Sequence, residues 1–309
     1  EVNWRRCDHI NSGKHSSDMV CDAAIDFIRE LDGNKPFFAY VSFLAPHDPR
    51  TMPKKFLDMY DPDDIELPPN YMGGHPFDTG ALKIRDEKLA DFPRTPEETR
   101  RHIAEYYGMI SHLDDQLGRV IKTLEDQGEL DNTIVVFAGD NGLALGQHGL
   151  MGKQNCYDHS VRVPLIFAGP GIPEASQNDA YAYLHDIFPT LCELTDTDIP
   201  ESVEGKSLVE IMKNTDNKIR HSLYFAYTDV QRAVKTEEDY KLIEYAVPEH
   251  ERVTQLFDLK DDPAEMINLA YEDDYAEKVN ELREEMCRLR DVWDDQKSKW
   301  GDFWDRITF

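Results

Sequence analysis

The sequence predicts an α/β protein, with a mainly parallel sheet flanked by helices over residues 1–218 and a smaller antiparallel-sheet subdomain over residues 219–309. Three observations predict it. Helical stripes alternate along the chain with short apolar runs rich in aromatic and β-branched residues, the order that arises when parallel strands are joined by helices. Beyond residue 218 the texture changes to four short strand-like runs separated by turn residues. A chain of 309 residues that is 40% hydrophobic also has ample material for a core.

From Ser17 the residues Met19, Val20, Ala23, Ala24, Phe27, Ile28 and Leu31 form one helical stripe, with Ser17 as N-cap and Gly33 just beyond the end. After "GNKP", the run "FFAYVSFLA" has the length and composition of a buried strand, which places His47 just past a strand end. The segment 46–94, rich in Pro, Gly and Asp, reads as a functional surface excursion. "TPEE" then opens a long helix: Thr95 caps, Pro96 takes the first helical position, Glu98 completes a capping box, and Gly128 closes the helix.

"NTIVVFAG" and "VRVPLIFAG" read as two further buried strands, and "LHDIFPTLCEL" as a short helix. "SLYFAYT", "QRAVKT", "YKLIEYA" and "TQLFDL" read as an antiparallel meander. "DPAEMINLAYEDDYAEKVNELREEMCRLRDVWDDQ" returns to helix, and the tail "KSKWGDFWDRITF" is aromatic enough to pack back on the body.

Sixty-one acids against thirty-four bases give a net charge of -27, which repels nucleic-acid phosphates and anionic membrane surfaces. No basic cluster offsets it, so no nucleic-acid partner is expected. No apolar run approaches the ~18 residues of a membrane span. The first residues lack the apolar segment of a secretory signal and give no address. The five cysteines, Cys7, Cys21, Cys156, Cys192 and Cys287, show neither CxxC nor zinc-site spacing. They read as buried inert thiols, although Cys7 and Cys21 could pair in an oxidising compartment.

Polar chemistry is concentrated in one stretch, "VFAGDNGLALGQHGLMGKQNCYDHSVRVPLIFAGPG", residues 136–171. Asp140 and Asn141 at a strand end offer two hard oxygen ligands, suited to Ca²⁺ or Mg²⁺ rather than zinc, although "DNG" alone is more often a turn. Lys153 in "GKQN" can place a point charge on an anionic oxygen, the alternative being a solvated lysine. His148 and His159 are acid/base groups or anion contacts, or else satisfied structural histidines. Arg162 begins a strand, where an internal carboxylate partner is expected before a substrate.

This stretch resembles the calcium- and sulfate-binding segment of the formylglycine-dependent sulfatases of the alkaline phosphatase superfamily. "SSDMVCDAAIDFI", "KPFFAYVSFLAPHDP", "HDIFPTLCEL", "EGKSLVEI", "QRAVKTEEDYKLIEY" and "QLFDLKDDPAEMINLA" agree with the family in the expected order. The resemblance implies an alkaline-phosphatase-like fold and hydrolysis of a sulfate ester, on a sulfated small molecule or sugar. It makes Asp140 and Asn141 ligands of one Ca²⁺ ion, Lys153 a contact to the sulfate oxygens, and His47 a sulfate contact able to protonate the leaving-group oxygen. His148 would face the substrate beyond the sulfate.

The family nucleophile is a formylglycine made in Cys-x-Pro-x-Arg or a close variant, and none of the five cysteines has that context. The paired acidic metal ligands of the family's first strand are also not found. The expectation is therefore an N-terminally truncated sulfatase, with an incomplete calcium site and little or no turnover on its own. A phosphoesterase or phosphonate hydrolase of the same superfamily is the alternative enzyme, and a non-catalytic binding module that kept the fold is the alternative of another class. Relatives are commonly exported, which suggests a periplasmic or extracellular location by resemblance only.

Overall fold

The computed structural model describes residues 14–33, 35–307 and 309. Cys7, and with it the Cys7–Cys21 pairing, lies outside the described residues. The described residues form two compact units, one drawn from residues 14–67 and 95–135, the other from residues 68–94 and 136–309.

In the first unit, helix α1 (Ser16–Arg29) buries Cys21, Ile25 and Ile28. Its N-cap is His15 rather than Ser17. The imidazole Nδ1 accepts the Ser17 N–H at 3.1 Å, Asp18 accepts the His15 N–H at 3.3 Å, and Thr51 holds the other ring nitrogen at 3.0 Å. A ring pinned from both sides can do what a capping hydroxyl does. A short helix, α2 (Lys54–Leu57), precedes the long α3 (Pro96–Asp126). Thr95 caps α3 by accepting the Glu98 N–H at 3.2 Å, whereas the Glu98 carboxylate turns to Arg101 instead of closing a capping box. Gly128, at φ +72°, follows the helix end.

Residues 37–45 do not form the expected buried strand. The segment has no regular secondary structure and joins no sheet among the described residues, and Phe38, Tyr40 and Leu44 are 76%, 85% and 74% exposed.

In the second unit, β1 (Val135–Ala138) pairs with β2 (Leu165–Ala168), with the short helix α4 (Asp158–Val161) between them in sequence. These strands too are less buried than their apolarity implies, with Phe137 39% and Ile166 56% exposed. Helices α5 (Ile187–Leu194) and α6 (Val209–Lys213) follow. Then comes the expected meander of β3 (Ser222–Tyr227), β4 (Gln231–Thr236), β5 (Tyr240–Tyr245) and β6 (Val253–Asp258), antiparallel in that order. Helix α7 begins only at Ala276 and runs to Val292. The preceding residues leave the helical path because the Asp262 carboxylate takes the N–H groups of Met266 and Ile267 at 2.6 and 2.7 Å.

The four-stranded sheet is apolar on both faces, and its alternation decides what each face holds. Val234, Leu242 and Leu256 point to one side, packed with Leu282, Met286 and Leu289 of α7 and with Phe303 and Trp304 of the tail. Ala233, Ile243 and Phe257, their immediate neighbours in the chain, point to the other and pack with Ala144, Leu150, Cys156 and Tyr157. The stretch singled out in the sequence thus rests on a sheet face.

Candidate functional site

Residues 139–160 form a hook that closes on itself. The Gly142 N–H donates to the Ser160 carbonyl at 2.8 Å, Ala144 to Gly152 at 3.0 Å, and Gly146 to Leu150 at 2.8 Å. Glycine is required where the chain passes over itself: a Cβ on Gly142 would be driven into the His159 carbonyl, and one on Gly149, at φ +72°, into the backbone of Gly74.

Three supports hold the hook. From the segment 68–94, the buried Glu87 carboxylate accepts the N–H groups of Met151 and Gly152, both at 3.0 Å, and pairs with the buried Arg94 at 2.6 Å. Asp86 accepts the side-chain amide of Gln154 at 2.7 Å. Burial pushes Asp86 upward, yet Gln154 and Arg85 outweigh it and hold the carboxyl below its ordinary range. From the sheet, the fully buried Lys241 places its ammonium 2.7 Å from both Asp158 and Glu265, and Lys235 lies 3.1 Å from Asp158. Burial raises the Asp158 carboxyl, but the two lysines bring it down to about 2. An aromatic stack fills the interior: His148 lies flat on Tyr157 at 4.0 Å, and the Tyr157 hydroxyl is 3.0 Å from His75 Nε2 and 2.8 Å from Gln255.

Asp140, Asn141, His148 and Lys153 all belong to this hook. Asp140 and Asn141 are exposed, and Asp140 Oδ1 accepts the Asn141 N–H at 2.9 Å. Lys153 is half-buried, and its ammonium has no carboxylate within ion-pair distance among the described residues. His148 is 6% exposed, at φ +52°, with Nε2 3.1 Å from the Asn70 amide. Burial, with smaller contributions from His75 and Lys241, lowers its pKa to about 4, so the ring is neutral. His159 sits behind Tyr157 with both ring nitrogens buried and without a hydrogen-bond partner among the described residues, and burial holds it well below the usual histidine range. Arg162 is exposed just past the end of α4, and the carboxylate partner expected for it is not found among the described residues. The side chain stands outside β2, which starts three residues later, and so escapes the burial that would demand a partner.

His47 belongs to the first unit. It is exposed, with Nδ1 2.9 Å from the Asp48 carbonyl and 3.2 Å from its carboxylate, which leaves Nε2 without a protein partner among the described residues. That fixes the ring while leaving one nitrogen for proton transfer. Among the described thiols, Cys21 and Cys156 are buried and raised to about 11 and about 12 by burial, as expected of inert groups. For calcium, Asp140 and Asn141 supply oxygens of the right chemistry but only two of the ~6–8 that the ion takes. The described residues contain no cluster of three or more metal-binding side chains. The ion therefore fits the donor type here and not the full count.

Sequence reasoning missed Asn70, His75, Asp86, Glu87 and Arg94. Their signal was available only as polar residues in the excursion over 46–94, since carboxylate-to-backbone bonds leave no periodicity.

Comparison with known proteins bears on the family and the fold. Residues 1–197 match the family described as Sulfatase, and residues 146–292 the family described as N-sulphoglucosamine sulphohydrolase, C-terminal. An arylsulfatase of Clostridium perfringens is 33% identical over 281 residues, 87% of this chain and 56% of that protein. The chain spans about half the length of several curated relatives it matches. A solved structure described as a complex with its substrate D-glucosamine-2-N,6-O-disulfate superposes with a TM-score of 0.76 at 24% identity, covering 92% of this chain and 71% of that one. The phosphonate monoester hydrolase of Agrobacterium radiobacter superposes with a TM-score of 0.75 at 26% identity, covering 90% and 62%. The fold is alkaline-phosphatase-like, and the chain belongs to the sulfatase family.

Proposed function

We propose that this chain carries the anion-binding and leaving-group part of a sulfuric-ester hydrolase site. The observation that supports it most is Lys153: a half-buried ammonium with no carboxylate within ion-pair distance among the described residues, on a turn held from both sides by hydrogen bonds to Glu87 and Asp86. Asp86 is near enough to feel the lysine's charge but makes no direct contact with it, and a sulfate oxygen can take that contact.

In this reading Lys153 binds the sulfate oxygens, and His47 protonates the departing oxygen through Nε2. Asp140 and Asn141 would hold a calcium ion, whose charge, when bound, stabilises negative oxygens of the ester. His148, buried and neutral within the hook, is the residue that the resemblance assigns to the substrate beyond the sulfate. The formylglycine implied by the resemblance is assigned to no residue of this chain, and hydrolysis of a chromogenic sulfate ester by these 309 residues is expected to stay near background. The match of residues 146–292 to a sulphoglucosamine sulphohydrolase family favours a sulfated amino sugar as the substrate class. A second reading, phosphonate ester hydrolysis, draws on the likeness to the Agrobacterium radiobacter enzyme.

Calorimetric titration with inorganic sulfate and with methylphosphonate, in the presence of calcium, tests the proposal. Sulfate is expected to bind, and Lys153→Ala to weaken it about 10–100-fold, the worth of one charge-assisted hydrogen bond. Preference for methylphosphonate would favour the second reading, and equal sulfate binding by the variant would remove Lys153 from the site.

A further inference from the structure

Asp86 and Glu87 occupy an unusual place relative to Lys153. The two Glu87 oxygens take the N–H groups of Met151 and Gly152, the two residues before the lysine, and Asp86 takes the side chain of Gln154, the residue after it. Gln154 in turn accepts the Lys153 N–H at 2.9 Å through Oε1. Both carboxylates are buried, 4% exposed each, and Arg94 fixes Glu87 from behind. The fit is close, since a Cβ on Gly152 would come within 2.8 Å of Glu87 Oε1 and 3.2 Å of the Asp86 Cβ.

A flexible lysine that is to hold one oxygen of a tetrahedral anion gains affinity when the backbone beneath it is already fixed. Backbone N–H groups directed at a buried carboxylate supply that rigidity; Glu87 pairs with Arg94 and Asp86 with Arg85, and the Lys153 charge acts on Asp86 without an ion-pair contact. We propose that Asp86 and Glu87 are the positioning residues of the anion site, a clamp on both sides of the turn that presents Lys153. The proposal rests on the reading of Lys153 as a sulfate contact, and it gives a function to a segment in which the sequence shows no motif.

The test measures the dissociation constant for inorganic sulfate in the parent chain and three variants. Glu87→Gln removes one acceptor and the charge facing Arg94. Gly152→Ala pushes the clamp open while keeping the Arg94–Glu87 pair, and serves where Glu87→Gln fails to fold. Leu282→Ala is the control, since it loosens the sheet-α7 core far from the clamp in sequence and packing. Glu87→Gln and Gly152→Ala are expected to weaken sulfate binding about tenfold, the usual loss when a group supporting a ligand is removed. Leu282→Ala is expected to lower the melting temperature and leave sulfate affinity unchanged below it. Parent-like affinity in both clamp variants overturns the proposal alone. A parent chain that binds no sulfate overturns the reading of Lys153, and the clamp as a feature of an anion site with it.

Discussion

Lys241 shows how much of this site depends on one buried side chain. It reaches from β5 to Asp158 at the base of the hook and to Glu265, and burial lowers its pKa less than the two carboxylates raise it, so it stays charged. Removing one member of such a group leaves the others buried and uncompensated. Lys241→Met is expected to destabilise the second unit by about 3–5 kcal/mol, read from urea unfolding. Gly142 acts through space rather than charge. Gly142→Ala drives a methyl into the His159 carbonyl, and the expected outcome is loss of sulfate binding by a chain whose circular dichroism stays close to that of the parent. Parent-like binding would show that the hook does not need this crossing.

At the scale of elements, the sheet-forming meander serves two partners, and its period-two alternation separates them: α7 on one face, the hook on the other. Leu282, fully buried against Val234, Leu242 and Leu256, belongs to the first, and Leu282→Ala is expected to cost about 2–5 kcal/mol in thermal or denaturant unfolding. The four strands of the meander, α1 and α3 were legible in the sequence because each has a long, regular stripe or alternation bounded by turn residues. The burial of 37–45, β1 and β2 was not, because apolarity records what a strand can bury and not which element covers it. His15 was missed as a cap for a related reason: its role depends on Thr51, 36 residues away. The hook residues Asp140, Asn141, His148 and Lys153 were legible as a set, whereas the clamp beneath them, Asp86 and Glu87, required the fold.

For the whole molecule, buried histidines link stability to pH. His148, His75 and His159 all have folded pKa values depressed by burial, so the unfolded chain binds protons that the fold excludes. Their contribution is present above the ordinary histidine value of about 6.5 and is lost as pH falls below it, for His148 down to about 4. His148 alone accounts for on the order of 3 kcal/mol across that window. The melting temperature is expected to drop steadily from pH 6.5 to 4, and less steeply in His148→Gln, a comparison that scanning calorimetry makes directly. The net charge of -27 adds to the functional account, since an anionic ligand must approach against it and binding should strengthen with ionic strength unless a local positive site dominates. Lys153 is proposed as that local site. The most direct measurement is a crystal structure of this chain with calcium and sulfate. The account predicts a sulfate oxygen within about 3 Å of Lys153 Nζ and a cation on Asp140 and Asn141, and it is contradicted by sulfate bound elsewhere with Lys153 facing solvent.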